Sequence, residues 1–306
     1  MISKPGIYPG LPEAAYHADP CETPSLSASV AKVLLRRSPM HAAFIHPRLN
    51  PDCEPFDATP AMDAGTILHK LLLGAGMEIE PIIVRYGEKH DRAGELVTDW
   101  KTKAAQDARD AAREAGKVPV LPHVMQGLYA AAEAARGQIG KHPEGRLLFE
   151  PGAPEQTLIW REGAIWCRAR VDYLLHDPAM PPLDLKTTEL SAAPQSWERR
   201  VQSEYAFQAA FYRRGLARLG RSTPPMRFIV IEQQAPYGMS VLAPAPSLQM
   251  LAEAEVDRAI RIWTRCIETN EWPGYPPFTA HVEAKPWQLA EAEEQAMRDE
   301  IMEAAQ

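Results

Sequence analysis

Two rhythms of apolar and polar residues run along this chain, and the switch between them near residue 150 divides it. In the first part the rhythm is helical. Ser27 and Ser29 offer caps ahead of Val30, Val33, Leu34 and Leu35, and Ser38-Pro39 ends that helix. A short helix from about Met40 to Ile45 follows, and Pro47 to Pro60 reads as an extended proline-bearing loop. From Ala61 the helical pattern returns at Ile67, Leu68, Leu71 and Leu72, with His69 among them and Gly74 as a stop. A strand is expected at Ile79 to Val84, a basic loop at Arg85 to Gly94 and a helix at Thr98 to Ala115, which Gly116-Lys117-Val118-Pro119 closes. After Pro122, apolar Met125, Leu128, Tyr129 and Ala132 mark a one-sided helix.

Beyond Pro151 the period shortens to that of strands. Glu155 to Trp160 and Ala164 to Leu175 form a hairpin around Arg161-Glu162-Gly163, and Leu183 to Lys186 is a third strand. A long helix from Gln195 to Leu219, strands at Arg227 to Glu232 and Met239 to Ala243, and a helix from Ser247 to Thr269 complete the pattern. This order predicts an α/β fold, a mixed sheet flanked by helices, instead of a doubly wound sheet. It is read as a single domain: a mainly helical part over 1–150 with the Gly6-Ile7-Tyr8 to Tyr16-His17 arm, a core over 151–245, and C-terminal helices with an acidic tail over 246–306.

Composition narrows the function. The 306 residues are 45% hydrophobic, enough for a substantial core. No stretch is long and apolar enough to span a bilayer and no signal-like start is present, so a cytoplasmic protein is expected. Cys21, Cys53, Cys167 and Cys266 are scattered without a C-x-x-C pair, which argues for reduced thiols and against a zinc ribbon or an iron–sulfur cluster. There is no G-x-G-x-x-G and no P-loop. Of the net charge of -7, the stretch from Glu283 to Gln306 carries -5 (seven acids, two bases), leaving -2 for residues 1–282. A near-neutral body can hold a local basic groove.

The strand pattern holds the candidate chemistry. In Ile165 to Asp172 one face is Ile165, Cys167, Ala169 and Val171, and the other is Trp166, Arg168, Arg170 and Asp172. In the next strand Asp184 and Lys186 share a face while Leu185 points to the core. Asp172, Asp184 and the Leu185 carbonyl are oxygen donors suited to a hard cation such as Mg²⁺. A lysine two residues past such an acid can orient or help deprotonate an attacking water and stabilise a phosphoryl charge. Alone, Asp-x-Lys is a common exposed strand pair; Asp172 before it and Thr187-Thr188 after it raise its weight. Gln208 and Tyr212 share a helix face and are candidates to contact a phosphate or steady the lysine, with ordinary helix packing as the alternative for Tyr212. His69 is either a further ligand or a satisfied core histidine, and Gly65-Thr66 on its face would leave room for an ion. Arg168, Arg170, Lys89, Arg92, Lys101 and Lys103 are candidate phosphate contacts; cross-strand pairing competes for the arginines of the strand, and surface solvation for the others.

These residues bring a family into view. Gly65-Thr66-Ile67-Leu68-His69, Glu155, Cys167 to Asp172, Asp184 to Thr188, and Gln208 with Tyr212 together resemble the RecE-like exodeoxyribonucleases (exodeoxyribonuclease VIII) of the PD-(D/E)XK, restriction-endonuclease-like superfamily, which includes the RecB nuclease domain and lambda exonuclease. The likeness runs from the Gly6-Ile7-Tyr8 arm through Leu26 to Ser29 and Ser38-Pro39 to Glu271-Trp272-Pro273. Asp184 stands where glutamate is commoner, and Val171 where a proline often precedes the first acid. The resemblance implies that His69, Asp172, Asp184 and the Leu185 carbonyl bind Mg²⁺ or Mn²⁺, that Lys186 is the catalytic lysine, that Gln208 and Tyr212 form the helix motif, and that Glu155 holds a second metal or its waters. Thr187 and Thr188 join the arginines as candidate DNA contacts. It further implies 5′-to-3′ digestion of double-stranded DNA ends in phage or prophage recombination, a RecT-type annealing partner and a ring-shaped homo-oligomer. The alternatives are a catalytically inactive DNA-binding module, an endonuclease, or a single-strand nuclease.

Overall fold

The computed structural model describes residues 1–53 and 60–304, so residues 54–59 of the loop expected from Pro47 to Pro60 lie outside the described residues. The chain divides into two units, Met1–Gly274 and Tyr275–Gln306. The first opens with strand β1 (Gly6–Tyr8), helix α1 (Glu13–His17), the two-residue strand β2 (Leu26–Ser27), and helices α2 (Ala28–Arg36), α3 (Pro39–Phe44) and α4 (Pro60–Leu73). Next come β3 (Glu78–Pro81), α5 (Lys103–Glu114), β4 (Lys117–Val120) and α6 (Pro122–Lys141). The hairpin strands β5 (Gly152–Glu162) and β6 (Ile165–Leu175) lead to β7 (Leu183–Thr188), α7 (Pro194–Arg200), α8 (Ala206–Arg218), β8 (Arg227–Glu232), β9 (Met239–Leu242) and α9 (Pro246–Thr269). The second unit holds α10 (Pro286–Ala304), acidic and exposed along its length.

Most boundaries follow local chemistry. The Ser27 hydroxyl accepts from Val30 N at 3.3 Å and caps α2, and the Thr102 hydroxyl accepts from Ala105 N at 3.2 Å, so α5 starts at Lys103 instead of the expected Thr98. The segment expected to close that helix is itself a strand: β4 pairs in parallel with β3, because Val118 and Val120 bury against Ile67, Met125 and Leu128. Tyr129 lies off the buried stripe of α6 and is exposed, with Ala131, Ala132, Ala135 and Ile139 inside instead. The predicted continuous helix from Gln195 is interrupted by a π-turn at Val201–Tyr205.

The main sheet has the order β1-β5-β6-β7-β8-β9, antiparallel except for the parallel pair β7 and β8, with β2 added in parallel to β6. Helices α2, α8 and α9 cover one face over Leu158, Trp160, Cys167, Val171 and Phe228. Helices α4 and α6 cover the other over Leu183, Leu185, Ile229 and Ile231. Strand β5 pairs with β6 along almost its whole length, but the opposite edge of β6 is shared. It meets β2 at Cys167 and Arg168, and β7 only at Tyr173. Between those points the sheet is split, and the split is where the candidate residues gather.

The second face of β6 corrects one expectation. Arg168 is 3% exposed and donates to the Ser25 carbonyl at 2.9 Å and the Ser25 hydroxyl at 2.6 Å, with Asp19 Oδ1 at 3.2 Å. Its guanidinium also lies over Tyr16, 5.6 Å from the ring centroid. This arginine anchors the N-terminal segment and is not available to contact DNA.

Candidate active site

Strand β7 carries the centre of the site. Pro182 and Thr188 direct their carbonyls to β8, accepting from Arg227 N at 3.0 Å and Gln233 N at 2.8 Å. Even-numbered positions of β7 therefore spend their backbone groups on β8, and odd-numbered ones, Leu185 among them, turn theirs toward the split. There Leu185 N–H donates to Asp172 Oδ2 at 2.8 Å, a carboxylate standing in for the strand that has peeled away. The Leu185 carbonyl faces the same side, while its side chain anchors in the core under α4 and α6.

The side chains of Asp184 and Lys186 project to the α8 face. Gln208 Nε2 donates to Asp184 Oδ1 at 2.6 Å, and Lys186 Nζ lies 2.5 Å from Oδ2. Tyr212, one turn further along α8, is buried and lines the groove together with Arg170 and Asp172 of β6. Helix α8 thus bridges both sides of the split. Its own placement is tight: Arg214 and Arg218 hold the buried Glu162 at 2.8 and 3.0 Å, and Gly215 lies under Trp160, where a Cβ would come within 2.7 Å of the ring.

From the opposite face α4 brings His69, whose Nε2 is 3.1 Å from Asp172 Oδ2 and whose Nδ1 is 3.5 Å from Glu155 Oε1. Glu155 stands opposite Asp172 in the hairpin register, has a positive φ of 54°, and is ion-paired with Arg170. A left-handed glutamate interrupting a ladder is local strain of the kind found at functional sites. Gly65, one turn before His69, lies against β7: a Cβ there would sit 2.8 Å from Thr187 Oγ1. The small residues ahead of His69 therefore let helix and strand touch, and the space expected for an ion beside Gly65 is filled by Thr187.

An open groove of about 810 Å³ lies over this arrangement, lined among others by His69, Glu155, Arg170, Asp172, Lys186 and Tyr212. Among the groove residues that the sequence did not single out as site candidates are Tyr16 and His17 of the arm, Arg200 at the end of α7, and Gln233. Gln233 donates to Thr187 Oγ1 at 3.1 Å, and its position just past a core strand was the available signal. Thr188 is buried and its hydroxyl accepts from Leu190 N at 3.1 Å, which turns the chain out of β7. Of the other basic candidates, Arg92 pairs with Glu95, Lys101 with Asp99 and Lys103 with Asp107, all at the surface away from this groove.

Charge in the site is tightly balanced. Burial and then the neighbouring Asp172 raise the Asp184 carboxyl to about 6, against the pull of Lys186. Asp172 itself is held below the usual carboxylate range, because the hydrogen bond from His69 and the charges of His69 and Lys186 outweigh its burial. Burial works against a charge on His69, yet Asp172, Glu155 and Asp184 together raise its pKa. For Lys186 the same contest ends with Asp184 and Asp172 raising the ammonium.

Among the described residues no three His, Cys, Asp or Glu side chains are gathered as a ready ion cage, and His69 and Asp172 are paired with one another. The donor chemistry nevertheless fits a divalent cation. Asp184 is fully buried with Oδ2 held by the Lys186 ammonium, its carboxylate is crowded against that of Asp172, and imidazole nitrogen and carboxylate oxygens are ligands such ions take.

Comparison with known proteins agrees with this architecture. No curated protein matches the sequence significantly. A solved structure from Eubacterium rectale, described as a "putative exonuclease", superposes with a TM-score of 0.50 at 12% identity, covering 90% of this chain and 94% of that one, a likeness of fold. The family model described as a PDDEXK-like domain of unknown function (DUF3799) matches residues 27–279, which include strands β5 to β9 and each of His69, Asp172, Asp184, Lys186 and Gln208. The chain belongs to that PDDEXK-like family.

Proposed function

We propose that this protein is a divalent-metal-dependent deoxyribonuclease that hydrolyses phosphodiesters at the ends of double-stranded DNA. The observation that carries the reading is the junction at the split sheet, where Asp184, Lys186 and Gln208 meet Asp172 and His69 at the floor of an open groove. Asp172, Asp184, His69 and the Leu185 carbonyl are the groups that would hold Mg²⁺ or Mn²⁺, with Glu155 beside them. Bound there, such an ion supplies Lewis acidity toward a phosphoryl oxygen and lowers the pKa of water.

The protein's own groups have separable tasks. Lys186, held as an ammonium beside Asp184, stabilises charge on the phosphoryl oxygens and orients the attacking water. Gln208 fixes the Asp184 carboxylate from the far side, which leaves Oδ2 facing the lysine. Water adds to phosphorus as the P–O bond to the leaving nucleotide breaks, and the proton of the water passes to solvent or to the departing oxygen. Arg170, Arg200, Thr187 and His17 line the groove within reach of a bound backbone. The 5′-to-3′ polarity, a ring-shaped homo-oligomer, a RecT-type annealing partner and a role in phage or prophage recombination belong to the same proposal; they rest on the sequence resemblance.

The test is incubation with Mg²⁺ or Mn²⁺ and linear duplex DNA labelled at the 5′ or the 3′ end, beside a closed circular control. Release of label from linear DNA with the circle intact is the expected result. Cutting of the circle makes the protein an endonuclease, and binding without hydrolysis in either metal makes it a DNA-binding module. Lys186→Ala is expected to lower the cleavage rate at least about a hundredfold while leaving DNA binding within a few fold; a normal rate in that variant removes Lys186 from the mechanism.

A further inference from the structure

The π-turn at Val201–Tyr205 is the one irregularity in the α7–α8 segment, and it lies beside the candidate lysine. Local sequence does not demand it, since Val201 to Tyr205 contains neither glycine nor proline. Its wide backbone bond runs from Ala206 N–H to the Val201 carbonyl. The Ser203 carbonyl accepts from the Arg36 guanidinium of α2, and Glu204 pairs with Arg36 at 2.7 Å and Lys32 at 3.6 Å. The turn is therefore braced from outside.

Its effect is geometric. In an unbroken helix residues seven apart return to nearly the same face, whereas residues eight apart do not. One inserted residue puts Trp197 and Tyr205, eight apart, into that relation, and their rings stack with centroids 5.7 Å apart and planes 13° from parallel. Trp197 is itself fixed by its indole N–H donating to the Ser191 carbonyl at 3.0 Å. Tyr205 also packs on Phe228 of β8, at 5.4 Å. The face so supported looks onto Lys186, whose Nζ is 5.2 Å from the Tyr205 centroid, while Arg200 lies 5.2 Å over Trp197 at the groove. Gln208 and Tyr205, one turn apart on the helix, thus address Asp184 and Lys186, two apart on the strand.

We propose that Tyr205 is a positioning residue: its ring face, set by the π-turn and backed by Trp197, holds the Lys186 ammonium at the Asp184 side of the groove. The consequence for cleavage rests on the nuclease reading; the placement of the lysine does not. Asp184 alone is a single partner for a flexible four-carbon stem. The ring supplies a second, uncharged contact that does not compete for the carboxylate oxygens, and a desolvated cation–π contact corresponds to about a tenfold to thirtyfold effect.

The test pairs a spectroscopic measurement with kinetics in Tyr205→Phe, which keeps the ring, and Tyr205→Leu, which removes it. In protein labelled with ¹³C at lysine Cε, the Lys186 signal, assigned by its loss in K186A, is expected upfield through the ring current in the wild type and in Y205F. In Y205L it is expected among the other lysines. Cleavage by Y205L is expected to fall about tenfold to thirtyfold in kcat with KM for DNA within about twofold, and Y205F to stay within about twofold of wild type. A Lys186 signal with no upfield shift in the wild type overturns the proposal. So does wild-type cleavage by Y205L, or a loss in Y205F as large as that in Y205L. If Y205L does not fold by circular dichroism, Y205M serves in its place. If the wild type cuts no DNA, the nuclease reading fails, and the lysine signal still decides whether the ring holds Lys186.

Discussion

Arg168 shows how one residue's role depends on partners far away in sequence. Strand parity places it on the same polar face as Asp172, but Ser25 and Asp19, more than 140 positions earlier, enclose it. Asp19 sits in the left-handed region at φ 61° and accepts from Ser25 N and Oγ, both at 2.7 Å, with His46 Nε2 3.3 Å away. Burial opposes its charge, but His46, Arg168 and Ser25 hold the carboxyl down at about 2. A depressed folded pKa contributes stability that is present above the unfolded value near 4 and is lost as pH falls through about 2. Asp19→Asn tests this cleanly, because asparagine tolerates the left-handed backbone. The variant is expected to be about 2–3 kcal/mol less stable than wild type in urea at pH 7, with the gap narrowing toward pH 2. A gap unchanged between pH 7 and pH 2.5 would show that the Asp19 charge is not what anchors Arg168.

At the scale of elements, the contact of α4 with β7 brings His69 to Asp172, and it turns on one missing methyl. Gly65→Ala would place a Cβ 2.8 Å from Thr187 Oγ1 and 3.5 Å from Gln233 Nε2, so helix or strand must shift. The expected cost is about 1–3 kcal/mol, with a larger proportional loss of cleavage because His69 moves with the helix. Adding Thr187→Ala removes the opposing atoms and is expected to restore most of both; thermal melts and rates of the two single variants and the double variant measure the coupling. Equal stability of G65A and wild type would count against the close approach. The same elements show what could be read from sequence. The hairpin, the Asp184-x-Lys186 strand and the Gln208/Tyr212 face follow from periods of two and of 3.6, which are local properties. Strand β4 was hidden because Gly116 and Pro119 signal a turn, while its pairing with β3 is supplied by residues nearly forty positions away. The π-turn was hidden because every residue in it is compatible with a regular helix, and its supports, Arg36 and Lys32, lie on another helix. The fork of the sheet depends on the two-residue β2, too short to carry a pattern.

For the whole molecule, the split sheet holds two opposing demands in one place. The fold closes the sheet edge with Asp172 and buries Asp184 completely, and burial next to another carboxylate raises Asp184 to about 6. A folded pKa raised above the unfolded one works in the opposite sense to that of Asp19: the contribution is full below about 4 and is lost as pH rises through about 6. The ion-free protein therefore bears a cost near neutrality of about 2–3 kcal/mol at this residue. A divalent cation that binds only the folded state recovers stability in proportion to RT ln(1 + [L]/Kd), about 2.7 kcal/mol at a hundred times Kd. Asp184→Asn, which resembles the protonated carboxyl in shape and charge, separates the two effects. Without metal at pH 7, D184N is expected to be at least as stable as wild type, and at pH 4 the two should be nearly equal. Addition of Mn²⁺ at pH 7 should raise the melting temperature of wild type but not of D184N, and only wild type should cut DNA. Loss of stability in metal-free D184N at pH 7 would mean that the Asp184–Lys186 ion pair outweighs the burial of the carboxylate. The site would then be a structural pair, and its crowded acids would no longer argue for an ion.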